Sequence, residues 1–202
     1  MSKPVSDSQL RDNSMINPDS AKTRLLAAAA KLFNQKGYER TTVRDLATAV
    51  GIQSGSIFHH FKTKEAILKA VMMETILYNT DKMRIKLELA KNSKEEILAL
   101  IHCELESIIG ETGDAMAVLV YEWRSLSDAN QSDILKLRDE YETLWLNALN
   151  KAKQEGFLEG DVFIKRRFLT GALSWSKTWF KKEGDISIDT LAKEALSLVL
   201  KE

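Results

Sequence analysis

The chain has 202 residues, 44% hydrophobic and 29% charged, with 29 Lys and Arg balanced by 29 Asp and Glu, which is ample for one large or two small domains with a core. No apolar run reaches membrane-span length, the polar start is not a signal peptide, and the lone Cys103 excludes a disulfide framework and a CxxC metal pair. A cytoplasmic protein without cofactor or metal is expected. The zero net charge hides a polarity: residues 1–70 carry 11 Lys and Arg against 6 Asp and Glu, and residues 71–202 carry 18 against 23. A phosphate-binding module on an acidic body has that distribution.

Residues 1–18 are polar and irregular and are expected to form a flexible N-terminal arm. A first helix begins near Asp19 or Ser20, turns Leu25, Leu26, Ala29, Leu32 and Phe33 inward, and stops at Gly37. Thr42 then reads as an N-cap, with Asp45 three residues on in the manner of a capping box, and opens a helix of about two turns ending at Gly51. A second short helix, Ser54 to His60, keeps Ile57 for the core with Phe61 behind it. Its outward residues are Gln53, Ser54, Ser56, His59 and His60, groups that hydrogen-bond base edges and phosphates. Small Ala47 at the crossing, Gly51 in the turn and Ile57 in the core are the spacing of a helix-turn-helix. An ordinary helical hairpin would carry larger apolar faces on both helices. His59 and His60 are adjacent, about 100° apart on a helix and without a third ligand, so DNA contact is expected of them rather than metal binding.

The fourth helix, from Thr63 to about Leu89, is long enough to leave one domain and enter the next. Ser93 with Glu96 reads as a capping box for a fifth helix ending at Gly110. Helices follow over about Asp114 to Leu126, Gln131 to Gln154, Val162 to Lys182 and Ile188 to Lys201. No segment alternates with a strand period. The eighth helix carries two apolar stripes, one through Leu169, Ala172, Leu173 and Phe180 and one through Phe168, Gly171, Trp175 and Trp179. The ninth spreads Leu191, Ala192, Ala195, Leu196, Leu198 and Val199 over more than half its circumference. The second face of each is expected to meet a copy of itself, giving a homodimer interface through Leu169, Leu173, Leu191, Ala195, Leu198 and Val199. Met116, Tyr121, Trp123, Trp145, Trp175 and Trp179 bring large side chains to the sixth to eighth helices, where core packing and the lining of a ligand pocket are both open readings.

The first helix together with KGYERTTVRDLA and GSIFHHFKTKEAIL resembles the TetR family of bacterial transcriptional regulators over about residues 20–70. The resemblance implies that Gln53 to His60, including Gly55, is the recognition helix, that Thr42 and Arg44 touch the sugar-phosphate backbone, and that Lys64 grips a phosphate. Phe58 stands where the family often has Tyr, and Gln53 where Ser or Thr usually caps the helix. The segment GALSWSKTWFKKEGDIS resembles the branch that senses acyl-CoA thioesters, with Ser174 and Phe180 in place of an Asn and a Tyr. Arg124, Arg166 and Arg167 are candidate cations for a CoA phosphate.

The expected protein is all-α, with a helix-turn-helix DNA-binding domain over 19–65 and a ligand-binding and dimerisation domain over 66–202. Its expected function is ligand-responsive repression at a double-stranded operator, released by a small lipophilic effector of which an acyl-CoA is the first candidate. A sensor of lipophilic or aromatic drugs is the alternative. An all-helical enzyme is the competitor of another class, and no Ser/His/Asp, Cys/His or paired-carboxylate motif supports it.

Overall fold

A computed structural model describes residues 20–201, so the expected arm at 1–18 lies outside the described residues. Among these the chain forms nine α-helices and no strand, in two compact units. The first unit runs to Tyr78 and takes in Asp114–Leu135; the second is Asn79–Gly113 with Lys136–Glu202.

In the first unit α1 (Ala21–Lys36) starts where Ser20 accepts the Thr23 N–H at 3.0 Å. It buries Leu25, Leu26, Ala29, Ala30 and Phe33, each large side chain contributing about 1.5–3 kcal/mol on leaving water. α2 (Val43–Val50) opens on a reciprocal cap: the Thr42 hydroxyl accepts the Asp45 N–H at 3.1 Å, and Asp45 Oδ2 accepts the Thr42 N–H at 2.8 Å. It closes at Gly51, φ +71° and ψ +31°, with the Ile52 N–H on Ala47 O at 3.0 Å. A Cβ on Gly51 would meet nothing within 4 Å, so the left-handed torsion and not lack of space calls for glycine there. α3 (Ser54–Ile57) is shorter than the expected Ser54 to His60; residues 58–60 continue as a turn. α2 packs on α1 and on α3, with Leu46, Ala47 and Ile57 fully buried between them.

α4 (Lys64–Leu89) gives its first half to this unit and its second half to the other. α6 (Gly113–Tyr121) and the start of α7 (Asp128–Gln154) belong to the first unit as well. That makes it larger than the expected 19–65 domain, and polar fastenings are the reason. The Asn34 amide donates to Asp114 at 2.6 Å, the Glu65 carboxylate accepts the Ser127 N–H at 2.7 Å and the Asn130 amide at 2.6 Å, and Lys69 pairs with Asp133 at 2.7 Å. Glu65 thereby satisfies one orphan backbone N–H, that of Ser127, at the start of α7, which begins three residues before the expected Gln131. α6 ends at Tyr121 and a 3₁₀ turn over Trp123–Ser125 replaces its expected last turn.

The second unit is organised on α5 (Ser93–Ile109), which packs against α8 (Val162–Trp179) and α9 (Ile188–Ser197). Ile97, Leu100, Ile101 and Leu105 of α5 are completely buried. Its cap is not Ser93, as expected, but Asn92, whose side chain accepts the Glu95 N–H at 2.9 Å while Glu95 accepts the Lys91 N–H at 2.9 Å. Ser93 is buried and its hydroxyl donates to Glu155. α8 and α9 stop three or four residues short of their expected ends; Phe180 is already extended at ψ 134°. Cys103 is buried, and burial raises its thiol pKa to about 11, which makes it an inert packing residue.

The interior of this unit is also ionic. Arg166, 1% exposed, donates Nη2 to Glu104 at 3.0 Å and to Glu142 at 3.2 Å, and its guanidinium lies 4.1 Å over the Trp145 ring. The Tyr141 hydroxyl donates to Glu104 at 3.0 Å, and Arg167 reaches Glu142 at 2.7 Å. Burial and the Glu104 charge push the Tyr141 hydroxyl well above its ordinary range.

Candidate functional site

The helix-turn-helix presents a polar face with few internal obligations. Gln53 occupies the N-cap position of α3 but its side chain makes no capping bond, and it is exposed, as are Gly55, His59 and His60. Ser54 and Ser56 are half-buried at its edge. Phe58 is 53% exposed, a large apolar surface on the same polar turn. A Cβ on Gly55 would meet nothing within 4 Å, so the absence of a side chain there leaves backbone open to whatever approaches. Side-chain amide, imidazole and hydroxyl groups on a two-turn unit are what base edges in a major groove can bond.

The residues expected to touch the backbone divide. Arg44 is exposed in the first turn of α2, where a cation can reach a phosphate. The Thr42 hydroxyl donates to Asp45 at 2.8 Å, and Asp45 also takes Lys36 at 2.7 Å. Those bonds, Lys36 first and then the Thr42 N–H, hold the Asp45 carboxyl far below the usual carboxylate range. Thr42 is therefore a structural cap in the free protein. In the free protein the Lys64 Nζ lies 2.9 Å from Tyr38 O, 3.0 Å from Thr41 O and 3.4 Å from Glu39 O.

The residues expected at a dimer face lie mostly in the core of the single chain. Leu169, Leu173, Ala195 and Val199 are buried inside the single chain and Leu191 is half-buried, because their stripe faces the core that α5 shares with α8 and α9. The exposed stripe is the other one on α8, Ile164, Phe168, Trp175 and Trp179, joined by Leu198 at 69% exposure. Between α8 and α9 lies an open groove of about 300 Å³ lined mainly by Ile164, Phe168, Leu169, Ala172, Leu198 and Val199. The sequence held the signal for this stripe, but nothing in it said which of two apolar faces turned inward.

The side chains expected at an effector site fall in both units. Met116, Tyr121, Trp123 and Arg124 belong to the first, where Tyr121 and Arg124 are exposed and Met116 and Trp123 half-buried. In the second, Trp145 is fully buried beneath Arg166, whereas Trp175 and Trp179 stand on the exposed face of α8. Arg166, read from sequence as a candidate for a CoA phosphate, is committed to Glu104 and Glu142. The Trp145 Nε1–H is buried without a hydrogen-bond acceptor. No group of three His, Cys, Asp or Glu among the described residues could hold a metal ion, and no helix among them is long and apolar enough to cross a membrane.

Comparison with known proteins gives the lineage. Residues 25–71 match the family described as bacterial regulatory proteins, tetR family, and residues 90–202 match that described as tetracyclin repressor-like, C-terminal domain. The chain belongs to the TetR family of transcriptional regulators. The HTH-type transcriptional repressor KstR2 of Rhodococcus jostii (strain RHA1) is 31% identical over 182 residues, covering 89% of each chain. Among solved structures, that of the protein named superantigen pfit is 59% identical, with a TM-score of 0.82 over 92% of each chain. AibR in complex with isovaleryl coenzyme A and operator DNA has a TM-score of 0.79, covers 88% of this chain and 97% of its own, and at 20% identity shares the fold. As a TetR-family regulator the chain carries its helix-turn-helix in α2 and α3.

Proposed function

We propose that the protein is a homodimeric repressor that leaves its operator when a lipophilic effector binds. The observation that carries the reading is the open face of α3 and its following turn. Gln53, Ser54, Ser56, His59 and His60 read base edges there, Gly55 lets the duplex come close, and Arg44 holds the backbone. Pairing of two chains through the α8 stripe and Leu198 supplies the second reading head that an inverted-repeat operator demands.

For the effector class, the support is the Trp175–Phe180 segment and the isovaleryl coenzyme A held by AibR; an acyl-CoA thioester is the candidate. A ligand shifts the DNA equilibrium only by its differential affinity for the two states. Coupling of about 1–3 kcal/mol lowers operator affinity about 5- to 150-fold. The superantigen name is that of pfit, and the helix-turn-helix of this chain favours DNA.

The test is a titration of acyl-CoAs of increasing chain length, with free CoA and free fatty acids as controls, into a fluorescently labelled duplex bound by the whole chain. Release by a thioester and not by either half is expected. Release by planar aromatic or cationic drugs alone would replace the thioester reading with a drug sensor.

A further inference from the structure

Phe58 is an apolar ring on an otherwise polar face. It follows the fully buried Ile57, precedes the exposed His59 and His60, and is itself 53% exposed. Its backbone is still helical, at φ −67° and ψ −14°. The Phe58 N–H donates to Gly55 O at 3.2 Å and the Phe61 N–H to Ile57 O at 2.9 Å, so the winding of α3 continues through the turn. Ile57 and Phe61, four residues apart, are the inward pair. Phe58 therefore lies about 100° round from Ile57 and one turn beyond Ser54 and Gly55.

That placement joins the ring to the open backbone at Gly55, where a Cβ would meet nothing within 4 Å. Core packing does not account for Phe58, because Ile57 and Phe61 already fill the inward positions. A surface that approaches Gly55 closely covers the ring and takes it out of water. When that surface is a duplex, the ring has neither donor nor acceptor to offer a base edge or a phosphate. What it can contact is the one apolar group that base pairs display in the major groove, the 5-methyl of a thymine. Gln53, His59 and His60 around it carry the hydrogen-bonding groups.

We propose that Phe58 is a specificity-determining residue that reads the 5-methyl group of a thymine in each half of the operator. This rests on α3 being the reading head, but α3 can read DNA without Phe58 meeting a methyl. Burying one methyl group raises affinity about fourfold. A two-fold symmetric complex takes that gain twice, about fifteenfold in all.

The full chain is used to select a duplex from a random pool, and the recovered duplex is resynthesised with deoxyuridine for each thymidine in turn, which removes only the methyl. Wild-type affinity by fluorescence anisotropy is expected to fall about fourfold at one thymine of each half-site and about fifteenfold when both are changed. Phe58→Ala is expected to bind the thymine duplex more weakly by at least that much, and to lose nothing further to deoxyuridine at those two positions. With the same pairs changed to C·G, 5-methylcytosine is expected to bind wild type more tightly than cytosine does, and Phe58→Ala equally. A ring that only held the turn in shape would weaken binding when removed yet leave the methyl dependence intact. Methyl dependence that survives in Phe58→Ala therefore overturns the proposal, as does a wild type indifferent to every thymine methyl. Phe58→Gln, which keeps a side chain of some length but a polar one, is expected to lose the dependence too, and its retention there counts equally against the proposal. Failure to recover any duplex would defeat the DNA reading itself, and the methyl reading with it.

Discussion

Phe168→Ala removes the most exposed large side chain of the α8 stripe. Phe168 is 73% exposed in the single chain, so covering it on association recovers most of what full burial of a Phe contributes, about 1–2 kcal/mol per copy. Two-fold symmetry doubles the loss to about 2–4 kcal/mol per dimer, which weakens the dimer constant about 30- to 1,000-fold. The fold itself keeps its core, since the ring makes little use of it. Sedimentation equilibrium over a concentration series is the assay, with circular dichroism to show unchanged helix content. A dimer constant within threefold of wild type would refute the α8 stripe as the interface. Val199, which sequence alone offers as an equivalent site, is a poor probe, because at 6% exposure a charge there breaks the core of its own chain.

Gly55→Ala is expected to keep or slightly raise thermal stability, because a Cβ there meets nothing and alanine favours helix by about 1 kcal/mol, and yet to lower duplex affinity in an anisotropy titration; unchanged affinity would place the DNA elsewhere. Arg166→Met leaves Glu104, 3% exposed, with a buried and uncompensated charge. Urea denaturation at pH 7 is expected to show a loss of about 3–5 kcal/mol; no loss would contradict a working ion pair. Asp45 has its folded pKa depressed by Lys36 and Thr42, so its contribution is present above the unfolded value of about 3.9 and lost as pH falls through and below it. The stability advantage of wild type over Asp45→Asn is therefore expected to be full at pH 6 and to fade below about pH 4. An advantage as large at pH 2 as at pH 6 would rule out the ionised cap as its source.

The helix-turn-helix was readable because its signals are local: Thr42 with Asp45, Gly51 and Ile57 each act within a few residues. The same locality explains what went unread. Glu65 accepting the Ser127 N–H, Glu122 accepting the Tyr38 N–H and the Lys64 Nζ beside the Tyr38, Glu39 and Thr41 carbonyls join residues far apart in sequence, and no spacing rule predicts such meetings. Asn92 displaced Ser93 as the α5 cap by one residue, since both neighbours can cap and the burial of Ser93 beside Glu155 decides between them. On α8 the periodicity revealed two apolar stripes, but only the packing against α5 shows that Leu169 and Leu173 turn inward while Phe168 and Trp175 stay out. The sequence also suggested a ring of aromatics, whereas Trp145 is packed under Arg166 in an ionic interior that periodicity cannot foresee.

Selection of duplexes from a random pool by the whole chain, followed by sequencing, tests the central claim most directly. A dimer with one recognition element per subunit predicts enrichment of an inverted repeat whose half-sites are about 34 Å, one helical turn, or a small multiple of that apart. Gln53→Ala should then relax preference at particular positions of each half-site while other positions hold. Recovery of a pool with no enriched sequence, or of a lone unrepeated site, would contradict the account.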